Sequence, residues 1–288
     1  MVRGASAGHR HPIITLLTDF GTADPFVGIM KGVILGINPR VEVVDLCHGV
    51  SPQDVLEAAF LLHCSYRYFP KGTIHLVVVD PGVGGGRRPL LAEGVHGYYV
   101  APDNGVLSYL FASGEIRRVL EITVEEYFLH PVSQTFHARD IFASVAAHLS
   151  QIGNVDHFGK RLTEYVRLAL PTPEREGEGL LLGSILHMDR FGNLITNIST
   201  PEILSLHPER GITVRIKGRR IHGLVTSYDC VRLGEMGAIL GSAGYLEIFA
   251  NRGSAASILK VGRGATVRVE GKVRARGKRS RRNSEDVL

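Results

Sequence analysis

A chain of 288 residues can bury one large or two modest hydrophobic cores. Its 44% hydrophobic and 21% charged residues are ordinary for a globular protein, and its apolar runs stop well short of the about 20 residues that a membrane span needs. The net charge of +5 would favour a nucleic-acid partner, but the stretch 272–288 holds seven of the 33 basic residues and two of the 28 acidic ones. The rest of the chain is neutral, which excludes a broad basic surface.

The first residues, MVRGASAGHRHP, lack the apolar core of a signal peptide, so we expect a cytoplasmic protein. Cys47, Cys64 and Cys230 lie far apart and form no CxxC pair, which argues against a disulfide framework or a zinc site. We interpret them as buried apolar residues in a reducing compartment.

Residues 12–168 are predicted to form an α/β domain, with helices flanking a largely parallel central sheet, because strand and helix patterns alternate. The predicted strands include IITLLT, VEVVDL, TIHLVVV and GYYVAP. The predicted helices are DPFVGIMKGVILGIN, capped by Asp24, then SPQDVLEAAFLLHCSYRYF, capped near Ser51 and Asp54, and ARDIFASVAAHLSQIG.

The pattern changes at 169–179, where prolines, glycines and charges predict a linker. Residues 180–273 contain short β segments separated by glycines, which predict a smaller antiparallel β-barrel domain. The basic tail at 274–288 is nearly devoid of apolar residues and is expected to stay disordered. Weak contact of this tail with nucleic acid is conceivable but not expected.

Two aspartates, Asp19 and Asp80, come directly after predicted strands, where open α/β sheets form their binding crevices. The glycines after Asp80 do not match GxGxxG or GxxxxGK[ST], so nucleotide phosphate binding is not supported. We expect them to fold the backbone back and keep Arg87 near Asp80. On its own, such a pair is more often structural than catalytic.

Seven motifs occur in order along both predicted domains. They are TDFG at 18–21, SPQDV at 51–55, DPGVG at 80–84 with Arg87, PDNG at 102–105, TFHARD at 135–140, DRFGNLITNI at 189–198 and GSAGYLEIFANRGSAA at 241–256. Together they resemble the S-adenosylmethionine hydroxide adenosyltransferases, relatives of the bacterial fluorinase and chlorinase, over about residues 13–273.

The resemblance implies that water attacks C5′ of S-adenosyl-L-methionine and releases adenosine and L-methionine. Its catalytic set corresponds to Asp80, Arg87 and His137. Because a sulfonium leaves as a neutral thioether, no general acid, metal or cofactor is needed. Either Asp80 or His137 could take the proton, since an arginine-bound carboxylate is a weak base and an imidazole titrates near ~6.5. Without the family pattern, we would interpret His137 as the N-cap or a first-turn residue of the helix that contains ARDIF.

The resemblance also implies substrate contacts. Asp19 corresponds to the residue that binds the ribose diol, Asp189 to the partner of the methionine ammonium, Ser242 to a hydroxyl near the methionine carboxylate and Asn193 to an adenine contact. Further expected contacts are Phe136, Phe191, Asn251, Arg252 and Ser254. The resemblance finally implies a homotrimer, with sites between the first domain of one subunit and the second domain of its neighbour, and no membrane partner.

Three positions depart from the halogenases. Gln53 stands where the fluorinase pattern has tryptophan, Asp80 where it has tyrosine, and Ala138 where it has the halide-binding serine. A carboxylate would repel a halide, so hydrolysis is favoured over halogenation. A non-catalytic S-adenosylmethionine-binding protein remains the alternative, followed by a halogenase and by a nucleic-acid protein acting through the basic tail.

Overall fold

The structure is a computed structural model that describes residues 11–272. Within these residues the chain divides into two compact units, 11–170 and 171–272, with the division inside the predicted linker. The predicted basic tail at 274–288 lies outside the described residues. Within 11–272, none of the helices combines the length and apolar character required to cross a membrane.

The first unit is built on a seven-stranded sheet with the order β2-β1-β3-β5-β4-β6-β7. Its strands are β1 (Ile13–Thr18), β2 (Glu42–Cys47), β3 (Thr73–Val78), β4 (Pro89–Gly94), β5 (Gly97–Pro102), β6 (Ile116–Ile122) and β7 (Gly159–Leu162). Strands β2, β1, β3 and β5 pair in parallel, and the other three pairings are antiparallel. The α/β class is confirmed, with the parallel strands forming one half of the sheet.

Four helices accompany this sheet: α1 (Phe26–Ile37), α2 (Val55–Ser65), α3 (Ser108–Ala112) and α4 (Ser144–Ile152). Helix α2 begins as predicted, because the Asp54 carboxylate accepts a hydrogen bond from the backbone N–H of Glu57 at 2.9 Å. The prediction that Asp24 caps α1 is wrong. Pro25 occupies the cap position and fixes the backbone there without any side-chain hydrogen bond.

Helix α4 is preceded by a wider π-helical turn, Ala138–Ala143, which directly follows His137. Four apolar residues of this segment are all buried: Ile141, Phe142, Val145 and Leu149. They pack into a core with the central strands β1 and β3 and with helix α1. This packing fixes the position of the segment that carries His137.

The second unit is an antiparallel sheet with the order β12-β11-β15-β9-β10-β14-β13, and β8 pairs with β9. Its strands are β8 (Glu174–Glu176), β9 (Leu180–Met188), β10 (Leu194–Ser199), β11 (Ile212–Ile216), β12 (Arg219–His222), β13 (Met236–Leu240), β14 (Tyr245–Ala250) and β15 (Thr266–Gly271). A bridge between Val225 and Ile239 nearly closes the sheet. Alternate residues of β11 face a buried core, as in a small barrel. The barrel-like second domain is thereby confirmed.

Two short helices, α5 (Thr200–Leu204) and α6 (Ala255–Leu259), complete this unit. The expectation of buried cysteines is wrong for Cys230, which is exposed in a polar turn beside the hydroxyls of Thr226 and Ser227. Cys47 and Cys64 are half-buried, and burial raises the pKa of the Cys64 thiol to about 12. All three cysteines are free.

Candidate active site

The carboxyl edge of the parallel strands carries the first two predicted site residues. Asp19 directly follows β1, and Asp80 lies two residues after its neighbour β3. Both carboxylates line one cavity of about 390 Å³. Asp19 accepts a hydrogen bond from the backbone N–H of Gln53 at 2.8 Å, which uses one of its four lone-pair positions. The remaining acceptor positions of Asp19 are left for a ligand in the cavity.

A glycine-rich loop joins Asp80 to Arg87. Gly84 has a φ of +75°, and a Cβ there would lie 2.2 Å from the carbonyl oxygen of Gln134. Only glycine allows both that backbone conformation and that approach. The loop therefore packs directly on the segment that leads into His137, which is the physical reason for the glycine at this position.

Asp80, Arg87 and His137 form one hydrogen-bonded network. The Nε of Arg87 donates to both carboxylate oxygens of Asp80, at 3.0 and 2.9 Å, and its Nη2 donates to Asp80 Oδ2 at 2.5 Å. The same Nη2 donates to His137 Nδ1 at 2.8 Å. The side chains of Asp80 and Arg87 are 5% and 10% exposed, and the guanidinium lies 5.3 Å from the ring centre of Phe142. The structure thus brings the three predicted catalytic residues together in a buried position.

The network defines the protonation of His137. A guanidinium only donates, so Nδ1 must be the acceptor and the ring proton is assigned to Nε2. Burial, together with the charge of Arg87, lowers the pKa of His137 below its usual range. His137 is therefore neutral near pH 7. It occupies the cap position before the π turn but makes no capping bond, so the interpretation as a helix-start residue does not account for its side chain.

Next to this network is a smaller and mostly apolar cavity of about 120 Å³. Its lining residues are Phe20, Phe26, Val78, Asp80, Val83, Thr135, Phe136, His137 and Ala138. The rings of Phe20, Phe26 and Phe136 contact one another, with centroid distances of 5.7, 6.3 and 5.3 Å. Phe136 was predicted as a contact from the family motif. Phe20 and Phe26 were missed as site residues, because Phe20 lies in a loop and the helical spacing of Phe26 predicts only an apolar helix face.

The second unit has a cavity of about 590 Å³ beside the turn that follows β9. Its lining residues are Asp189, Phe191, Asn193, Tyr228, Ala250, Asn251, Arg252 and Gly253. Five of these were predicted as substrate contacts. The Asp189 carboxylate accepts hydrogen bonds from the backbone N–H groups of Phe191 and Asn193, both at 2.9 Å, and from the Asn193 amide at 2.8 Å. One of its acceptor positions is left for a ligand.

Two other predicted contacts do not line this cavity. Ser254 caps α6, where its hydroxyl accepts a bond from the Ser257 N–H at 3.1 Å, and it packs against Gly192. Ser242 is exposed in the turn between β13 and β14. The structure therefore assigns Ser254 a local structural contact and leaves the Ser242 hydroxyl open to solvent.

Tyr228 also lines this cavity, and the sequence did not predict it as a contact. Its hydroxyl donates to the buried carboxylate of Glu247 at 2.8 Å, and its ring packs edge-on against Phe249. Burial raises the pKa of Glu247, and the nearby charge of Asp189 acts in the same direction. Tyr228 begins a 3₁₀ turn of only three residues, Tyr228–Cys230, which is too short for any periodicity to indicate it.

In the part of the chain that the structure describes, no cluster of side chains is suited to bind a metal ion. Within residues 11–272, no three His, Cys, Asp or Glu side chains are grouped closely enough to hold an ion. The position facing Asp80 is instead filled by the Arg87 guanidinium.

Comparison with solved structures first defines the class of protein: chains that contain an α/β unit followed by a β-barrel unit. A conserved protein from Thermotoga maritima has this fold, with a TM-score of 0.85 and 36% identity over 89% of this chain and 99% of the other. The sequence model of the SAM hydroxide adenosyltransferase N-terminal domain matches residues 14–159, and that of the C-terminal domain matches residues 183–268. The chain belongs to this family.

Curated relatives of known name support the same assignment. The (R)-S-adenosyl-L-methionine hydrolase of Methanocaldococcus jannaschii is 34% identical, over 86% of this chain and 92% of its own length. A fluorinase from Nocardia brasiliensis is 29% identical, over 91% of this chain and 97% of its own. The relatives thus include proteins named as hydrolases of S-adenosyl-L-methionine and proteins named fluorinases.

Proposed function

We propose that this protein hydrolyses S-adenosyl-L-methionine to adenosine and L-methionine, with water attacking C5′ in line with the breaking C–S bond. The observation that supports this most directly is the buried network of Asp80, Arg87 and His137 at the wall of a small apolar cavity. Relatives named as hydrolases of this compound support the substrate.

The substrate contacts follow from the donors and acceptors in the two units. In the first unit, the free lone pairs of Asp19 suit two adjacent ribose hydroxyls. In the second unit, the remaining acceptor position of Asp189 suits the methionine ammonium. Asn193 keeps its carbonyl oxygen and one amide hydrogen for the adenine edge. The exposed ring of Phe191 offers a face for stacking.

The attacking water is held by the network. In the proposal, one O–H of this water donates to Asp80, and the Nε2–H of His137 donates to one of its lone pairs, so the other lone pair faces C5′. Holding the reacting atoms in such an arrangement can supply about 7–11 kcal/mol of a reaction barrier. The sulfonium accepts the electron pair of the breaking bond and leaves as the neutral thioether of methionine.

We assign proton acceptance to Asp80. The only acceptor nitrogen of neutral His137 already takes a bond from Arg87, and its other nitrogen carries a proton. Asp80 still has one acceptor position besides the three that face Arg87. His137 therefore orients the water, and Arg87 holds both partners in place.

Halogenation is the second candidate, since fluorinases are relatives. It fits the cavity less well. A halide there would face the Asp80 carboxylate, and Ala138 offers no hydroxyl to hold it. A protein that binds the substrate without turnover is the third candidate, and a buried network with open acceptor positions argues against it.

One experiment separates the three candidates. The protein is incubated with S-adenosyl-L-methionine in ¹⁸O-labelled water, with and without chloride and fluoride, and the products are identified by chromatography and mass spectrometry. We expect adenosine that carries the ¹⁸O label, together with methionine. The yield should be the same after exhaustive chelation, because no cofactor takes part. A halogenated nucleoside as the main product, or unchanged substrate, would refute it.

The assembly and location are part of the same proposal. We propose a homotrimer, to be checked by the mass from light scattering; an active monomer would contradict it. Three free cysteines suit a reducing compartment, and we place the reaction in the cytoplasm, with no membrane partner.

A further inference from the structure

The two cavities of the first unit share part of their lining. Asp80, Phe20, Phe26 and Val83 line both the cavity of about 390 Å³ and the one of about 120 Å³. Asp80 is the only polar residue among these four. The larger cavity also contains Asp19, so a ribose bound there would direct its C5′ towards Asp80 and the smaller cavity.

The smaller cavity is larger than a single water requires. Its volume of about 120 Å³ is roughly four times the ~30 Å³ that a water occupies in the liquid. Six of its nine lining residues have purely apolar side chains: Phe20, Phe26, Val78, Val83, Phe136 and Ala138. A buried water forms about three hydrogen bonds, and this lining offers side-chain polar groups only at Asp80, Thr135 and His137. The cavity thus has room and apolar surface that water does not use.

We propose that this enzyme has a second activity, the transfer of the adenosyl group to small neutral alcohols. The inference rests on the proposed function, because it uses the same cavity and the same electrophile. An alcohol of one or two carbons would place its hydroxyl on Asp80 and His137 and its alkyl group against Val83 and the phenylalanine rings. A neutral nucleophile is required because the Asp80 carboxylate disfavours anions.

The reaction balances without any further reactant. The alcohol oxygen forms a bond to C5′ while the C5′–S bond breaks, and the electron pair goes to sulfur, giving neutral methionine. The alcohol proton passes to Asp80 and then to solvent. The products are a 5′-O-alkyladenosine, L-methionine and one proton.

The test measures both products in one reaction. The enzyme is incubated with S-adenosyl-L-methionine in a methanol series kept below the level that lowers its unfolding temperature. The ratio of 5′-O-methyladenosine to adenosine is then divided by the ratio of methanol to water. One added methyl group in an apolar pocket changes relative reactivity by about tenfold or more, so we expect an enrichment of about ten. A value of one or below would overturn the inference.

Substitutions at Val83 connect the result to the cavity. Val83→Phe fills the space and should remove the enrichment, whereas Val83→Ala enlarges it and should extend the enrichment from methanol to ethanol and 2-propanol. Val83 is 36% exposed in a loop, so both changes should leave the fold intact. Val95→Ala, the same change at an exposed position outside both cavities, is the matched control and should behave as the parent.

The possible outcomes separate the inference from the proposed function. Adenosine without enriched ether would overturn the second activity alone. Absence of both products would overturn the hydrolysis as well. If the Val83→Phe variant shows the same enrichment as the parent, the alcohol reacts outside this cavity, and the inference is also overturned.

Discussion

The two units hold their functional groups by different means. In the first unit, Arg87 connects Asp80, seven positions away, with His137, 50 positions away, and all three are largely buried. In the second unit, Asp189 takes its hydrogen bonds from groups no more than four positions away, in a partly exposed turn. The first arrangement exists only in the folded unit, whereas the second is encoded in five consecutive residues. Substitutions in the Asp80–Arg87–His137 network should therefore affect chemistry, and those in the Asp189 turn should affect binding.

The strongest test of this contrast removes the charge of Asp80. Asp80→Asn keeps the side-chain size but removes the proton acceptor, so we expect kcat to fall by about 10²–10⁴-fold with little change in KM. Asp103→Asn is the matched control, because Asp103 is equally held by an arginine, Arg88, but lines neither cavity. It should lower the unfolding temperature and keep kcat. Normal turnover by Asp80→Asn would contradict the assignment.

The corresponding test in the second unit is Asp189→Asn. The amide oxygen can still accept the two backbone bonds of the turn, but the charge that faces the ammonium is lost. A hydrogen bond to a charged group contributes about 1.5–3 kcal/mol, so KM should rise by about 10- to 100-fold while kcat changes little. Glu209→Gln removes a charge from an exposed turn of the same unit and should leave both constants unchanged. A loss confined to kcat would reverse the contrast.

The glycine loop supports the long-range network and can be tested without touching it. Gly84→Ala places a methyl group against the Gln134 carbonyl at a positive φ, so we expect the free energy of unfolding to fall by on the order of 1–3 kcal/mol. Turnover should fall in parallel, because the segment leading to His137 must move. Gly86→Ala is the control, since a Cβ there meets open space. Equal effects of the two changes, measured by urea unfolding and kcat, would exclude this role for the loop.

The smallest expected effect is that of pH. Burial and Arg87 lower the pKa of His137, so the acid limb of kcat/KM should lie below pH 6.5, where the protonated ring can no longer accept the bond from Arg87. Burial also lowers the pKa of His75 to about 4. The unfolded chain then binds more protons between pH 4 and 6.5, and the folded state should lose stability as the pH falls through that range.

A variant separates these two pH effects. His75→Leu should flatten the fall in stability between pH 6.5 and 4 and leave the pH profile of activity in place, because His75 contacts Thr15 in the core and lines neither cavity. The check is denaturant unfolding and kcat/KM across the same pH series. An acid limb at or above pH 6.5 would show that His137 is not the neutral partner of Arg87.

The contrast between the units also explains what the sequence could predict. Asp19 and Asp80 were identified from strand ends, because parallel neighbours such as β1 and β3 end at one edge of a sheet. The bond from Arg87 to His137 follows no local pattern, and the family resemblance suggested only that the two residues belong to one catalytic set. The mutual contact of Phe20 and Phe136 spans more than 100 positions and lies equally beyond periodicity.

The antiparallel half of the first sheet was missed for a related reason. Only two residues separate β4 from β5, and a connection this short can join antiparallel strands alone. Strand patterns predicted β1, β2, β3 and β5 but not β6 or β7. Whether two strands pair in parallel or antiparallel depends on the connections between them, and the alternation of residues within a strand contains no information about those connections.

The π turn after His137 determines the direction of the His137 side chain relative to the buried face of α4. A regular α-helix rotates by about 100° per residue, and a π turn accommodates one additional residue in the hydrogen-bond ladder. The residue before the turn and the buried face of α4 can therefore each have the direction they need. Deleting one residue from 138–143 would restore a regular helix with Val145 and Leu149 still buried, but would swing the imidazole by about a quarter of a turn away from the guanidinium. Because of the additional residue in the π turn, one segment can bury the apolar face of α4 in the core and still direct His137 into the site.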